Sequence, residues 1–428
     1  MTGHVGSGID EHPEPGKALA GLLARPPLPQ LNDLATKFPG PAYLVGGALR
    51  DTLLGRPVTD LDLAIGAGFE RFVEAVAEAS GRRPSPIGDR WRDTHRLRWQ
   101  GYQLDLARLL GDIGEDLEQR DFTVNAMALE LPADGPGPVS VIDPHGGRED
   151  LLQGRIRCLS DAVLDQDPLR LLRAVRHVAV LEGFEIEPRT ARAVAARAVD
   201  LKGVAPERRQ AEWQCLLAGE YWLQGVELAV ETGLAGVSLF QLEDLTAVRA
   251  WQACGQEKEA ASRVCSRPAT GRLAVMLWDL LARQEPAAIV DHLVEQRWPL
   301  RVARFAVRAA EWTRSLPGCT MTVLADRALQ DHRASFLAAS LSASLARWQG
   351  RPPSPPARQL AEFSERATEK RWVTGFDLKS WGMSEGPGIG RLLAEVARGQ
   401  LQRRWPDAAA ARAWAHQQVA ASSVLIGA

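Results

Sequence analysis

Two hydrophobic periods divide the chain. Between about residues 31 and 150, a helical stretch, FERFVEAVAEAS (69–80), is interleaved with short strand-like runs: YLV, DLDLAI, YQLDLA and VSVID. After Asp150 the strand signals fade. Residues 151–215 place apolar side chains at helical spacing, as in DPLRLLRAVRHVAVL, and the remainder is nearly all helical in pattern, punctuated by Gly and Pro. SRPATGRLA (266–274) and RPPSPPARQ (351–359) read as connections. Residues 1–30, rich in Gly and Pro, read as a flexible leader until the RPPLPQL segment. No repeat of fixed period is present. The expected fold class is α+β: a mixed α/β head followed by an all-helical remainder.

Within this pattern one segment carries chemistry. In a strand, residues two apart point to the same side, so Asp60 and Asp62 of DLDLAI project together while Leu61 and Leu63 face a core. Two close carboxylates repel, which raises at least one pKa unless a cation sits between them. A hard divalent ion such as Mg2+ resolves that repulsion with oxygen ligands. Just upstream, Gly46 and Gly47 follow an apolar run and allow a tight turn with close ligand approach. Ala48 to Leu54 then reads as a short helix whose N-terminus favours anions, and Arg50 adds a charge suited to phosphate. Gly-Gly alone is most often a structural turn, and Asp-x-Asp alone a solvated strand end. Their combination points to phosphoryl or nucleotidyl transfer.

The run GG-x-x-RD followed by D-x-D resembles the active-site signature of the DNA polymerase beta-like nucleotidyltransferases. The variant is that of bacterial tRNA nucleotidyltransferases (CCA-adding enzymes) and bacterial poly(A) polymerases. The resemblance extends over nearly the whole chain after the leader. It implies a head (31–150), a helical neck (151–220), a helical body (221–350) and a helical tail (351–428), the last three forming an elongated assembly. It also implies a third metal carboxylate, which falls on Asp105 in GYQLDLARL, with Asp60, Asp62 and Asp105 together holding Mg2+ for two-metal catalysis.

Further motifs match in turn. QRDFTVNAMALEL (119–131) resembles RRDFTINAMA, with Gln119 in place of an arginine; Arg120 is then expected on phosphate, Asp121 on ribose hydroxyls and Asn125 between sugar and backbone. Phe122, Val124, Met127 and Leu129 read as core. VIDPHGGREDLLQGRIRCL (141–159) resembles the family's turn between head and neck, a mechanical or hinge element. In DQDPLRLLRAVRHVAVLEGF (165–184), Asp167 and Arg170 are expected on one helix face, extended by Arg173 and Arg176. A carboxylate beside a guanidinium offers acceptor and donor to a base edge. In the family this pair is the protein template that selects CTP and ATP. Here Gln166 replaces the usual Glu and His177 a common Phe. An isolated D-x-x-R would be read as an intrahelical ion pair. GVAPERRQAEWQCLLAG (203–219) resembles an element expected to buttress the template. Residues 373–415 resemble the tRNA-binding tail, with Gly386, Pro387, Gly388 and Gly390 opening a helix that bears Arg391, Arg398, Arg403 and Arg404.

Composition narrows the reading little. The 428 residues allow more than one domain, 45% hydrophobic and 24% charged residues are ordinary for a globular chain, and a net charge of −2 excludes a uniformly basic surface but not a local basic groove. Five scattered cysteines without a Cys-x-x-Cys pair support neither zinc nor a disulfide framework, and fit reduced thiols in the cytoplasm. No apolar run reaches membrane-spanning length, and the N-terminus lacks a secretory pattern. The expected function is addition of C and A to the 3′ end of tRNA from CTP and ATP, with no membrane or protein partner implied. The alternatives are a partial enzyme adding only CC, favoured by the short segment RLLGDIGEDLEQ after Asp105; a poly(A) polymerase; and, last, a non-catalytic RNA-binding protein, which the three carboxylates oppose.

Overall fold

The computed structural model describes residues 15–87, 93–131, 140–242, 245–253 and 268–424. The chain divides into two compact units, residues 1–203 and 204–428.

The first unit is built on a six-stranded sheet of order β3-β4-β5-β2-β1-β6. Its strands are β1 (Ala42–Val45), β2 (Asp60–Ile65), β3 (Ser85–Pro86), β4 (Thr94–Trp99), β5 (Tyr102–Arg108) and β6 (Ala128–Leu131). The β2–β5 pair is parallel and the other ladders are antiparallel. Between β2 and β5 the chain runs through α4 (Phe69–Ser80), β3 and β4, a connection long enough for the crossover that a parallel pair needs. β4 and β5 form a hairpin closed by Gln100 and Gly101, both at positive φ (49° and 91°), the turn geometry whose twist matches the strands. Alternation sets the two faces: Leu61, Leu63, Leu104 and Leu106 are fully buried, and the aspartates lie between them in sequence.

The four runs read as strands from sequence fare differently. YLV, DLDLAI and YQLDLA are β1, β2 and β5. VSVID is not a strand among the described residues, since Ile142 makes only an isolated bridge to Ala128, and Val139 lies outside them. THRLRW and ALEL are strands instead. Arg96 and Arg98 fill the outer positions of an exposed alternation and mask its period.

The expected leader also requires correction. Helices α1 (Pro15–Leu23) and α2 (Leu28–Ala35) are ordered, because Leu19, Leu22, Leu28 and Leu31 are buried and hold them against the fold. Residues 1–14 lie outside the described residues.

Past β1, α3 (Gly47–Leu53) follows the glycine turn, and α5 (Ile113–Glu118) follows β5 after four residues. α5 starts with a capping box in which Asp112 and Glu115 each accept from the other's backbone N–H. Its Leu117 packs with Val45, Ala64 and Ala128 on the face of the sheet that bears the aspartates. The rest of the unit comprises α6 (Gly147–Leu152), β7 (Arg155–Ile156), α7 (Asp161–Gln166), α8 (Leu169–Val180), β8 (Glu185–Ile186) and α9 (Pro188–Ala196), with β7 and β8 a two-residue parallel pair.

The second unit contains only helices and 3-10 turns among the described residues. Trp213, Trp222 and Trp251 are fully buried in it. Two expected connections are largely helical. Pro268–Leu280 is a helix, and RPPSPPARQ becomes helix at Pro355, because a proline is tolerated in the first helical turn where no N–H partner exists. Towards the C-terminus, Val373, Leu378, Leu392, Val396, Trp405 and Val419 form a separate small core. No helix among the described residues is long and apolar enough to cross a membrane.

Candidate active site in the first unit

The sheet register brings the acidic residues into rows. Asp62 of β2 is paired with Asp105 of β5, and Asp60 with Gln103. Asp105 is in turn paired with Arg96 of β4. Arg96, Asp105 and Asp62 thus form one row across three strands. The side chains are not gathered round a single point. Asp105 accepts from Arg96 Nε at 2.7 Å and Nη2 at 2.6 Å, and Asp60 Oδ2 accepts from the Thr59 hydroxyl at 2.8 Å. Accordingly, among the described residues no three His, Cys, Asp or Glu side chains stand in a metal-holding cluster.

The electrostatics of the row centre on Asp62. Burial raises the Asp62 pKa, and the charges of Asp105 and Asp60 push it further up, against the nearby Arg120 guanidinium. In donor chemistry, acceptor-only carboxylate oxygens suit a hard divalent ion.

Gly46 shapes the wall beside Asp62. Its φ is +74°, and a Cβ there would stand 2.8 Å from Arg120 Nη1 and 3.6 Å from Asp62 Oδ2. The positive φ is what calls for glycine here, and it leaves Arg120 and Asp62 close to the bare backbone. Arg120 is steadied from behind by Asp116 of α5, fully buried, at 3.4 Å, while its Nε is buried without a hydrogen-bond partner. Asp116 escaped the sequence reading, although its i,i+4 spacing to Arg120 is visible there.

Arg50 does not stand free for phosphate. It donates to both oxygens of Asp51, at 3.0 and 2.8 Å, and to Asn125 Oδ1 at 2.6 Å. Gly47, the first residue of α3, packs against the Arg50 guanidinium. Asn125 Nδ2 donates to Asp121 Oδ1 at 2.9 Å. Asp121, expected on a ribose, is instead a buried hub. Its Oδ1 also accepts from the Phe122 N–H, and its Oδ2 accepts from Arg173 Nε at 2.7 Å. Although burial opposes it, the charge of Arg173 with these bonds holds the Asp121 pKa far below the ordinary carboxylate range. His177 completes the cluster. Its Nε2 lies 3.3 Å from Asn125 Nδ2 and 3.4 Å from Arg176 Nη2. Both neighbours are donors, so Nε2 accepts and the ring is neutral; burial first, then Arg176 and Arg50, press its pKa well below 6.5. Its ring meets Phe122 edge-on at 5.4 Å.

The base-selecting pair is arranged differently from expectation. Asp167 is not on a helix with Arg170. It sits in extended backbone (φ −140°, ψ 96°) between α7 and α8, because Pro168 disfavours helix in the residue before it. Its Oδ1 accepts from the Leu169 N–H at 3.2 Å. Arg170, the second residue of α8, donates to the carbonyls of Val163 and Gln119, both at 2.7 Å. Arg173 and Arg176 follow at three-residue spacing, opposite the buried Leu171, Leu172, Val175 and Val178. The turn segment pins the second motif from below. Thr123 Oγ1 donates to the buried Asp150 at 2.6 Å, and a Cβ on Gly147 would stand 2.3 Å from the Thr123 carbonyl oxygen.

In the second unit, Gly386 caps the helix Pro387–Leu401 as expected. Arg398 pairs with Asp326 at 2.9 Å, and Arg404 lies over Trp405 and Trp414.

A family model described as the poly A polymerase head domain matches residues 42–157, and one described as the probable RNA and SrmB-binding site of polymerase A matches residues 183–245. The chain is 35% identical over 234 residues to the CCA-adding enzyme of Lactiplantibacillus plantarum, covering 49% of this chain and 54% of that one. It is 37% identical over 227 residues to the CC-adding tRNA nucleotidyltransferase of Geobacter sulfurreducens, covering 52% and 50%. Against the CCA-adding enzyme of Geobacillus stearothermophilus it is 30% identical over 387 residues, covering 83% and 88%. The matches thus span about half the length of the first two relatives and most of the third. Among solved structures, the Thermotoga maritima CCA-adding enzyme complexed with tRNA shares the fold, with a TM-score of 0.70 at 20% identity over 96% of this chain and 98% of that one.

Proposed function

The chain belongs to the poly(A) polymerase head-domain family that includes the CCA-adding and CC-adding tRNA nucleotidyltransferases, and on that premise we propose that it extends the 3′ end of tRNA with C and A residues from CTP and ATP. The observation that carries the reading is the register pairing of Asp62 with Asp105 beside the Gly46 turn. It sets carboxylates in one row, with the Arg120 guanidinium at their edge. Asp60, Asp62 and Asp105 would hold the divalent ion, and Mg2+ is the species proposed from the hard oxygen donors. When bound, it lowers the pKa of the attacking hydroxyl and offsets charge on the departing pyrophosphate. Arg120, beside Gly46 and Asp62, would engage the triphosphate. Asp121, Asn125 and Arg50 hold the floor of the site rather than its mouth. Asp167 and Arg170, with Arg173 and Arg176 behind them, read the base. In this reading the head is residues 31–150, the neck 151–220, the body 221–350 and the tail 351–428. Free thiols at Cys158, Cys215 and Cys319 favour a cytoplasmic setting.

A second reading has its own observation. Only residues 109–112 separate β5 from α5, and the capping box seats α5 against the site face at once. That leaves little free chain beside the nucleotide and favours a partial enzyme that adds CC alone.

Incubation with tRNA lacking its 3′ end, with CTP and ATP separately and together, followed by sequencing of the products, separates the readings. Extension by two with CTP and no further growth with ATP selects the partial enzyme. No incorporation of either nucleotide in Mg2+ removes the enzymatic reading.

A further inference from the structure

Arg96 belongs to none of the motifs, yet it makes the most intimate contact with the candidate metal carboxylates. Resting on the reading of Asp60, Asp62 and Asp105 as ligands, we propose that Arg96 is a resident counter-cation. It clasps Asp105 in the metal-free protein and must let go before a divalent ion is taken up.

Three observations carry this. First, the contact is a two-pronged fork, Nε and Nη2 on the two oxygens of Asp105 at 2.7 and 2.6 Å, so it occupies one lone pair on each oxygen and sets a positive charge where a second cation would be repelled. Second, the fork is built into the ladder: Arg96 and Asp105 are register partners in the β4–β5 hairpin, held opposite each other by the Gln100–Gly101 turn. Third, Asp105 is itself the register partner of Asp62, so Arg96 ends a row that holds two carboxylates on neighbouring strands. Arg96 adds positive charge at the Asp105 end of that row, as Arg120 does beside Asp62. A guanidinium does not deprotonate in proteins, so the fork opens only by rotation of the side chain. The Arg96 side chain is 44% exposed, which leaves it water to turn into. The closed fork therefore competes with ion binding and weakens it, while stabilising the carboxylate row.

The test uses Mn2+ as a probe with the full chain, without tRNA or nucleotide, reading free Mn2+ by electron paramagnetic resonance and unfolding by calorimetry. Arg96→Leu should bind Mn2+ about fivefold more tightly, the scale of one partly exposed ion pair, and Arg96→Lys, which keeps charge but loses the fork, should fall between. Without metal, Arg96→Leu should unfold at a lower temperature than the parent, and Mn2+ should close that gap. Unchanged or weaker Mn2+ binding in Arg96→Leu overturns the proposal. Asp62→Asn distinguishes the two levels. If it abolishes Mn2+ binding while Arg96→Leu fails to tighten it, only the role of Arg96 falls. If Asp62→Asn binds as the parent does, the ligand reading falls and the proposal with it.

Discussion

Gln166 Nε2 donates to Gln119 Oε1 at 3.2 Å. In the sequence pattern that the chain resembles, Glu stands at position 166 and Arg at position 119, and the two departures meet. A neutral amide pair stands where the family pattern would set opposite charges, so one substitution is matched by the other. The same Gln119 holds Arg170 through its carbonyl, tying the second motif to the base-reading helix.

Because the amide pair is exposed, a double-mutant cycle of Gln119→Ala and Gln166→Ala should give a coupling of about 0.5 kcal/mol in denaturant unfolding. The charged pair Gln119→Arg with Gln166→Glu should restore the parent's stability and CTP incorporation. Additive effects in the cycle would show that the two side chains do not cooperate.

Asp62→Asn should abolish nucleotide transfer, a fall of about a thousandfold or more, since it removes a charge needed for metal catalysis. The same change should stabilise the metal-free protein. The Asp62 pKa is raised in the fold, so its ionised form costs stability above that pKa, and the cost disappears as pH falls through it. A thermal scan at neutral pH should find the variant about 2 °C higher, within the scale of a modest stability change. An unfolding temperature below the parent's would contradict the assigned strain.

His177 should make the fold acid-sensitive. Its pKa is depressed in the folded state, so the unfolded chain takes up the proton first, and stability declines as pH drops below 6.5, the ordinary value. The slope from this one group is at most about 1.4 kcal/mol per pH unit. His177→Phe restores the residue common in the family, keeps the ring against Phe122 and removes the titration. Stability profiles of parent and variant between pH 7 and 5 should diverge, and parallel profiles would sink the assignment.

Arg170→Ala should relax base choice more than it slows transfer. Competition between CTP and UTP in a primer-extension assay should show discrimination falling about tenfold or more, the loss of one paired contact to a base edge. Arg173→Ala should act otherwise, because it frees the buried Asp121. It should lower stability by about 2 kcal/mol, the scale of a charged hydrogen bond. Equal effects of the two substitutions on fidelity would refute the division of roles.

The sequence by itself determined the parts governed by local spacing. Period two in DLDLAI set Asp60 and Asp62 apart from their leucines, and period 3.6 set the helix 69–80 at its observed bounds. The glycine turn was legible because few other residues adopt its backbone. What only the tertiary structure decided is who neutralises whom. Arg96 meets Asp105 through a hairpin whose Gln-Gly turn went unrecognised, with Arg96 and Asp105 equally far from it. Asp121 meets Arg173 across 52 residues, and Gln119 meets Gln166 across 47. α1 and the helix at Pro268 were hidden because burial, a property of neighbours distant in sequence, outweighed the local Gly and Pro signals. Charge pairing and burial depend on through-space distance, and chain spacing encodes that distance only inside a single helix, strand or turn.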